Sequence, residues 1–151
     1  MKRAQRLQIV QRVVDDQERC RAEALAGSER RLSESEAKLQ ELEGYHASYL
    51  RDFTLRAESG MDGVMVRDYQ AFLARLEEAL RQQHLVVVRA RAQRDGEWQT
   101  WQGAAQRAEA VGQMLKRFQT EEERALDRHE QHESDERSQR AWAHGLVLRG
   151  A

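Results

Sequence analysis

Proline is absent from the 151 residues, cysteine occurs once, and Phe, Tyr and Trp together make up only 6%. Without proline, only glycine is left to interrupt a helix. The lone Cys20 has no internal disulfide partner, which fits a reducing compartment. No sign of charge prevails: the formal net charge is -1, so no global field draws the chain to nucleic acid or to anionic lipid. No apolar run approaches the ~20 residues of a bilayer span, and no signal-peptide core is present. What remains is the expectation of a cytoplasmic helical protein.

What the chain has in abundance is charge (34%, against an average of about 25%) and good helix formers. From Tyr69 onward, steps of four and three fall on Leu73, Leu76, Leu80, Gln83, Val87, Ala90, Arg94, Glu97, Trp101, Ala104, Ala108, Val111, Leu115, Phe118, Glu122, Ala125 and His129. An average step of 3.5 residues is the seam of a left-handed coiled coil. Polar Gln83, Arg94 and Glu97 in mid-seam weaken the pairing and set its register. At ~1.5 Å per residue such a helix spans roughly 90 Å, which predicts a rod.

The preceding residues are periodic as well. A stripe reads Leu25, Ser28, Leu32, Ser35, Leu39, Leu42, His46, Tyr49 and Phe53. Ahead of it, Val10, Val13, Gln17, Cys20 and Ala24 form a stripe one residue out of phase, so a local irregularity is expected near Gly27. Glu58-Ser-Gly-Met-Asp-Gly63 is the one concentrated turn signal. These features predict an all-α fold: two long helices in an antiparallel coiled-coil hairpin over residues 1–140, with arm one at about 3–57, a turn at about 58–66 and arm two at about 67–140. The last residues, 141–151, lose periodicity and are expected to fray. A basic start (Lys2, Arg3, Arg6, Arg12) and an acidic last third (Glu121 to Glu136) favour the antiparallel orientation.

Catalytic chemistry finds no foothold. No glycine-rich phosphate loop occurs, and a two-helix rod has no cleft to tune the carboxylates Asp127, Glu130 and Glu133. His129-Glu-Gln-His132-Glu133 has a spacing of three where a zinc-protease helix needs four, so it reads as a polar helix face. No enzyme activity, metal or cofactor is expected. The aromatics say more. Tyr45, Tyr49 and Phe53 precede the turn, and Tyr69 and Phe72 follow it. Tyr49, Phe53 and Tyr69 fall on the seams and are expected to staple the helices. Tyr45 and Phe72 fall one position off, so they are expected to be partly exposed and to mark a binding surface. Trp98 and Trp101 form a second candidate patch, with Trp101 on the seam.

At these residues the chain resembles the FliJ family, the small coiled-coil proteins of the bacterial flagellar type III export apparatus. The likeness is carried by Leu42-Glu-Gly-Tyr-His-Ala-Ser-Tyr49, by Asp68-Tyr-Gln-Ala-Phe-Leu-Ala-Arg-Leu-Glu-Glu-Ala-Leu80, and by Glu121-Glu-Glu-Arg-Ala-Leu-Asp-Arg-His-Glu130. The resemblance implies a stalk whose open end enters the hexameric export ATPase (FliI-like), promotes ring assembly and hydrolysis, contacts the export gate protein (FlhA-like) and escorts export chaperones. It implies Leu42, Tyr45, Tyr49, Phe72, Leu76 and Ala79 as the gate contact. Lys2, Arg3, Arg6 and Arg12 are then assigned to the ATPase-proximal end. The expected location is cytoplasmic, at the flagellar base, peripheral to the inner membrane only through partners. A secretion chaperone that binds an export substrate directly, an injectisome stalk, and a plain dimerisation module are the competing expectations.

Overall fold

The computed structural model describes residues 2–150. They form two helices, α1 (Arg3–Ser59) and α2 (Gly63–Arg149), and no strand occurs among the described residues. The joint is shorter than the predicted turn, because local capping absorbs its flanks. Gly60 takes a left-handed φ of 97° just after α1 and its N–H donates to the Ala57 carbonyl (3.3 Å), a glycine C-terminal stop. The Asp62 carboxylate accepts from the N–H of Met65 (2.8 Å), an N-cap that lets Gly63 begin α2 at once.

The chain forms two compact units: Met1–Gln17 with Ala105–Ala151, and Glu18–Ala104. In each, the helices pack antiparallel. In the Glu18–Ala104 unit the paired numbers rise on α1 as they fall on α2: Glu18 with Trp101, Glu36 with Arg91, His46 with Glu77, Asp52 with Tyr69. In the other unit the Arg3 guanidinium lies over the Phe118 ring (5.7 Å), and Gln11 Nε2 donates to the Ala108 carbonyl (3.4 Å). The predicted α2 seam is buried or half-buried from Tyr69 to Glu122; Ala125 and His129 are exposed. A two-helix pair has room for one stripe only, and few side chains close it completely: Ala4, Leu32, Val87 and Ala104, with Ser28 and Ser35. The two serines return their hydroxyls to carbonyls one turn back, Leu25 (2.7 Å) and Leu32 (2.8 Å), so their burial leaves no unmet donor.

Two expectations are corrected. Val10, Val13, Gln17 and Cys20 do not form the early seam; all four are exposed. The inward residues are Ala4, Leu7, Gln11 and Val14 in one unit, and Glu18, Leu25 and Ser28 in the other. They keep the four-three phase of the later stripe except at Arg21, which is exposed while Ala22 and Ala24 are half-buried, so the irregularity expected near Gly27 is confined to residues 21–24. Gln11 and Glu18 can take seam positions because each is hydrogen-bonded to α2, Gln11 to Ala108 and Glu18 to Trp101. The second correction concerns residues 141–149, which continue α2 as helix to Arg149; they contain no proline, and loss of an apolar stripe does not by itself end a helix. Ala151, included in the expected fraying, lies outside the described residues, as does Met1.

Candidate functional site

The aromatic residues that flank the turn meet across the helices. Tyr49 and Phe72 are in ring contact, centroids 4.3 Å apart and tilted 31°. Tyr69 lies 6.1 Å from Tyr49 and 5.7 Å from Phe53. Offset and tilted rings at these separations attract beyond their buried area. The Tyr69 hydroxyl donates to Asp52 Oδ2 at 2.5 Å, which pins α2 to α1 beside the turn. That bond is the main reason the Asp52 carboxyl titrates below its ordinary range, with Arg56 (3.4 Å away) assisting. The same bond raises the Tyr69 phenol above its ordinary value. Arg56 also lies over the Tyr69 ring (5.8 Å), and Arg75 over Phe72 (6.0 Å). None of this hydrogen bonding was legible from the heptad pattern.

Packing does not hide the cluster. Tyr45 is 54% exposed, and its hydroxyl donates to Glu41 on its own helix (3.1 Å), which raises its pKa. Tyr49 occupies a seam position yet stays 39% exposed, while Phe72, one position off the seam, is half-buried beneath it. The expected roles of these two rings are therefore partly exchanged. Leu42, Leu76 and Ala79 are half-buried along the same stretch. All six residues, Leu42, Tyr45, Tyr49, Phe72, Leu76 and Ala79, thus fall on one short length of the helix pair.

Lys2, Arg3, Arg6 and Arg12 are exposed. Among the described residues none of them pairs with the acids from Glu121 to Glu136, so the expected charge match of the two flanks is not expressed as ion pairs. Two of those acids serve their own helix instead. Glu133 pairs with His129 (3.2 Å) and Arg137 (3.8 Å), and Glu136 with His132 (3.2 Å) and Arg140 (3.7 Å). His129 and His132 therefore face different carboxylates, and no group of metal-ligand residues converges among the described residues. Trp101 is half-buried and its Nε1 donates to Glu18 (2.8 Å), whereas Trp98 is exposed.

One apolar surface was not anticipated. Trp142 (70% exposed), Leu146, Val147 and Leu148 stand out from the last turns of α2. Their signal, four large apolar residues within seven positions of a charged helix, was masked by the expectation of fraying. No helix among the described residues is long and apolar enough to cross a membrane.

No curated protein and no solved structure matches the chain. The family model described as "Flagellar FliJ protein" matches residues 1–146, almost the whole length. With that match, and with two antiparallel helices carrying the aromatic cluster beside their turn, the chain belongs to the FliJ family, a component of flagellar export and not a family of enzymes.

Proposed function

We propose that this protein is a non-enzymatic coupling stalk of the flagellar export apparatus. On this reading, the Met1–Gln17 and Ala105–Ala151 unit engages the export ATPase hexamer and promotes its assembly and turnover. The aromatic surface in the Glu18–Ala104 unit engages the export gate protein, and export chaperones are handed over while the stalk is in place. The observation that carries the reading is the solvent-open aromatic cluster. Tyr45 and Tyr49 remain more than a third exposed beside a turn that Asp52–Tyr69 and the ring contacts already hold. A helix pair does not need these rings for stability alone, and exposed aromatics that are grouped and rigid are what protein interfaces use as anchors. Support for the ATPase-proximal assignment is the cationic, exposed set Lys2, Arg3, Arg6 and Arg12. Polar rim contacts of that kind hold a partner without locking it.

The test is ATP hydrolysis by the cognate export ATPase titrated with the purified protein, with ring formation followed in the same samples. Turnover and hexamer population should rise together and saturate near one copy per ring. If neither moves while the protein is fully helical, the coupling function is wrong and direct chaperoning of an export substrate becomes the better reading.

A further inference from the structure

The two sides of the seam in the Glu18–Ala104 unit are closed differently. On one side opposite charges bridge the helices: Arg91 Nη2 to Glu36 Oε1 at 3.3 Å and His84 Nε2 to Glu43 Oε1 at 3.9 Å. On the other, steps of seven residues give Arg31, Lys38 and Tyr45 along α1, and Phe72, Ala79, Val86 and Gln93 along α2. The outer row of α2 on that side, Arg75, Gln82, Arg89 and Gly96, contains no acid either. The α1 cations therefore meet no carboxylate from α2.

A cleft of about 550 Å³ opens there between the helices. Its floor is made of the small side chains Ser28, Ser35 and Ala90 together with Gln83, whose Nε2 donates to the Ser35 carbonyl (2.9 Å), and its wall includes Val86, which is 44% exposed. Arg31, Lys38 and Arg89 rim it, each exposed and none in an ion pair among the described residues. Glu34 is the single acid in the lining. Small residues on the floor allow a further backbone to come close, Val86 offers an apolar contact, and three cations against one acid select for negative charge. The cleft lies on the side of the seam that carries Tyr45, Phe72 and Ala79, so the two surfaces are continuous.

We propose that this cleft extends the docking surface of the aromatic cluster and seats an acidic amphipathic helix of the same partner. An apolar residue of that helix rests on Val86 and the serine–alanine floor, and its flanking carboxylates reach Arg31, Lys38 and Arg89. The inference rests on the assignment of the aromatic cluster to the export-gate contact, and adds to it the charge and conformation of the segment recognised.

The test uses the full chain and the purified cytoplasmic region of the cognate gate protein, titrated at low and at high salt. Three proteins are compared: native, Tyr45→Ala, and a triple variant carrying Arg31→Glu, Lys38→Glu and Arg89→Glu. The three substituted side chains are exposed, so helicity should be unchanged. Rim charges contribute about two- to fivefold each, so the triple variant should bind at least about tenfold more weakly at low salt. The deficit should narrow at high salt, where the native protein loses the same attraction. If Tyr45→Ala weakens binding and the triple variant does not, the cleft plays no part and this inference falls while the aromatic assignment stands. If native protein does not bind, or Tyr45→Ala binds as native does, the aromatic assignment itself fails. A concentration-dependent native dimer that the triple variant cannot form would put a second copy of this chain in the cleft, and would overturn the proposal.

Discussion

Tyr45→Ala and Phe72→Ala should separate binding from packing at the aromatic cluster. Phe72 is half-buried with its ring 4.3 Å from that of Tyr49. Truncation of a fully buried phenylalanine costs about 3–5 kcal/mol, so half-burial places this one near 2 kcal/mol, the ring contact included. Tyr45 is 54% exposed and bonds only to Glu41 of its own helix, so its removal should stay within about 0.5 kcal/mol. In urea unfolding followed by helical circular dichroism, a slope near 2 kcal/mol/M converts the Phe72 loss into a midpoint lower by about 1 M. The Tyr45 midpoint should not move. In the gate-protein titration both variants should weaken binding by about tenfold or more, because each removes an aromatic anchor. Equal midpoint losses for the two variants would make Tyr45 a structural staple whose exposure carries no meaning. Native affinity in Tyr45→Ala would remove the cluster from the interface.

The Tyr69–Asp52 bond gives a pH signature. The lowered Asp52 pKa contributes stability above the ordinary carboxylate value of 3.8, which is lost as pH falls through the folded value beneath it. The raised Tyr69 pKa contributes stability in full below 10.0, lost as pH rises through the folded value above it. The unfolding difference between native and Tyr69→Phe should therefore form a plateau from about pH 4 to 10 and shrink beyond both ends; a constant difference down to about pH 2 would refute it. Gly44 is a helical glycine with nothing within 4 Å of an added Cβ, so Gly44→Ala should stabilise by about 0.5–1 kcal/mol, whereas Gly60→Ala at φ 97° should destabilise by about 1 kcal/mol. Thermal melts that move in the same direction for both would contradict this. Gln11 buries an Oε1 that has no partner among the described residues, so Gln11→Leu should raise stability by about 1 kcal/mol; a loss would show that its bonds to Asp15 and Ala108 outweigh the unmet acceptor.

The second helix was the more legible of the two because its stripe is apolar where packing is tightest. Val87 and Ala104 are buried where the four-three count puts them, and the count fails only at Ala125 and His129. The first helix was misread at its start for a local reason. Val10 and Val13 are more apolar than Gln11 and Glu18, and a count of hydrophobic residues follows the valines. From Ala4 to Glu18 the helix instead keeps the phase of Leu25, Leu32 and Leu39, which is interrupted only at Arg21, exposed beside the half-buried Ala22. It can do so because Gln11 and Glu18 find hydrogen-bond partners on α2. Hydropathy along one strand of sequence does not register bonds made to residues more than eighty positions away.

The candidate site was legible to the degree that it depends on one helix, and obscure where it depends on two. An interface one stripe wide cannot cover residues beside the stripe, so the exposure of Tyr45 follows from its heptad position alone. Phe72 is half-buried off the seam because the Tyr49 ring lies against it, while Tyr49 itself stays exposed, and that relation exists only once the helices are brought together. The cleft rimmed by Arg31, Lys38 and Arg89 is the stronger case. Ser28 and Ser35 are ordinary residues in a charged helix until Ala90 comes opposite, and then the three leave room for a neighbour. The cations beside them become conspicuous only by comparison with the other side of the seam, where Glu36 and Glu43 meet Arg91 and His84. In the Glu18–Ala104 unit the exposed Trp98 continues the row of His84 and Arg91 on that side, while the cations Arg31, Lys38 and Arg89, unpaired among the described residues, share the opposite side with the exposed Tyr45. That coincidence, more than any single residue, argues for a partner on that face.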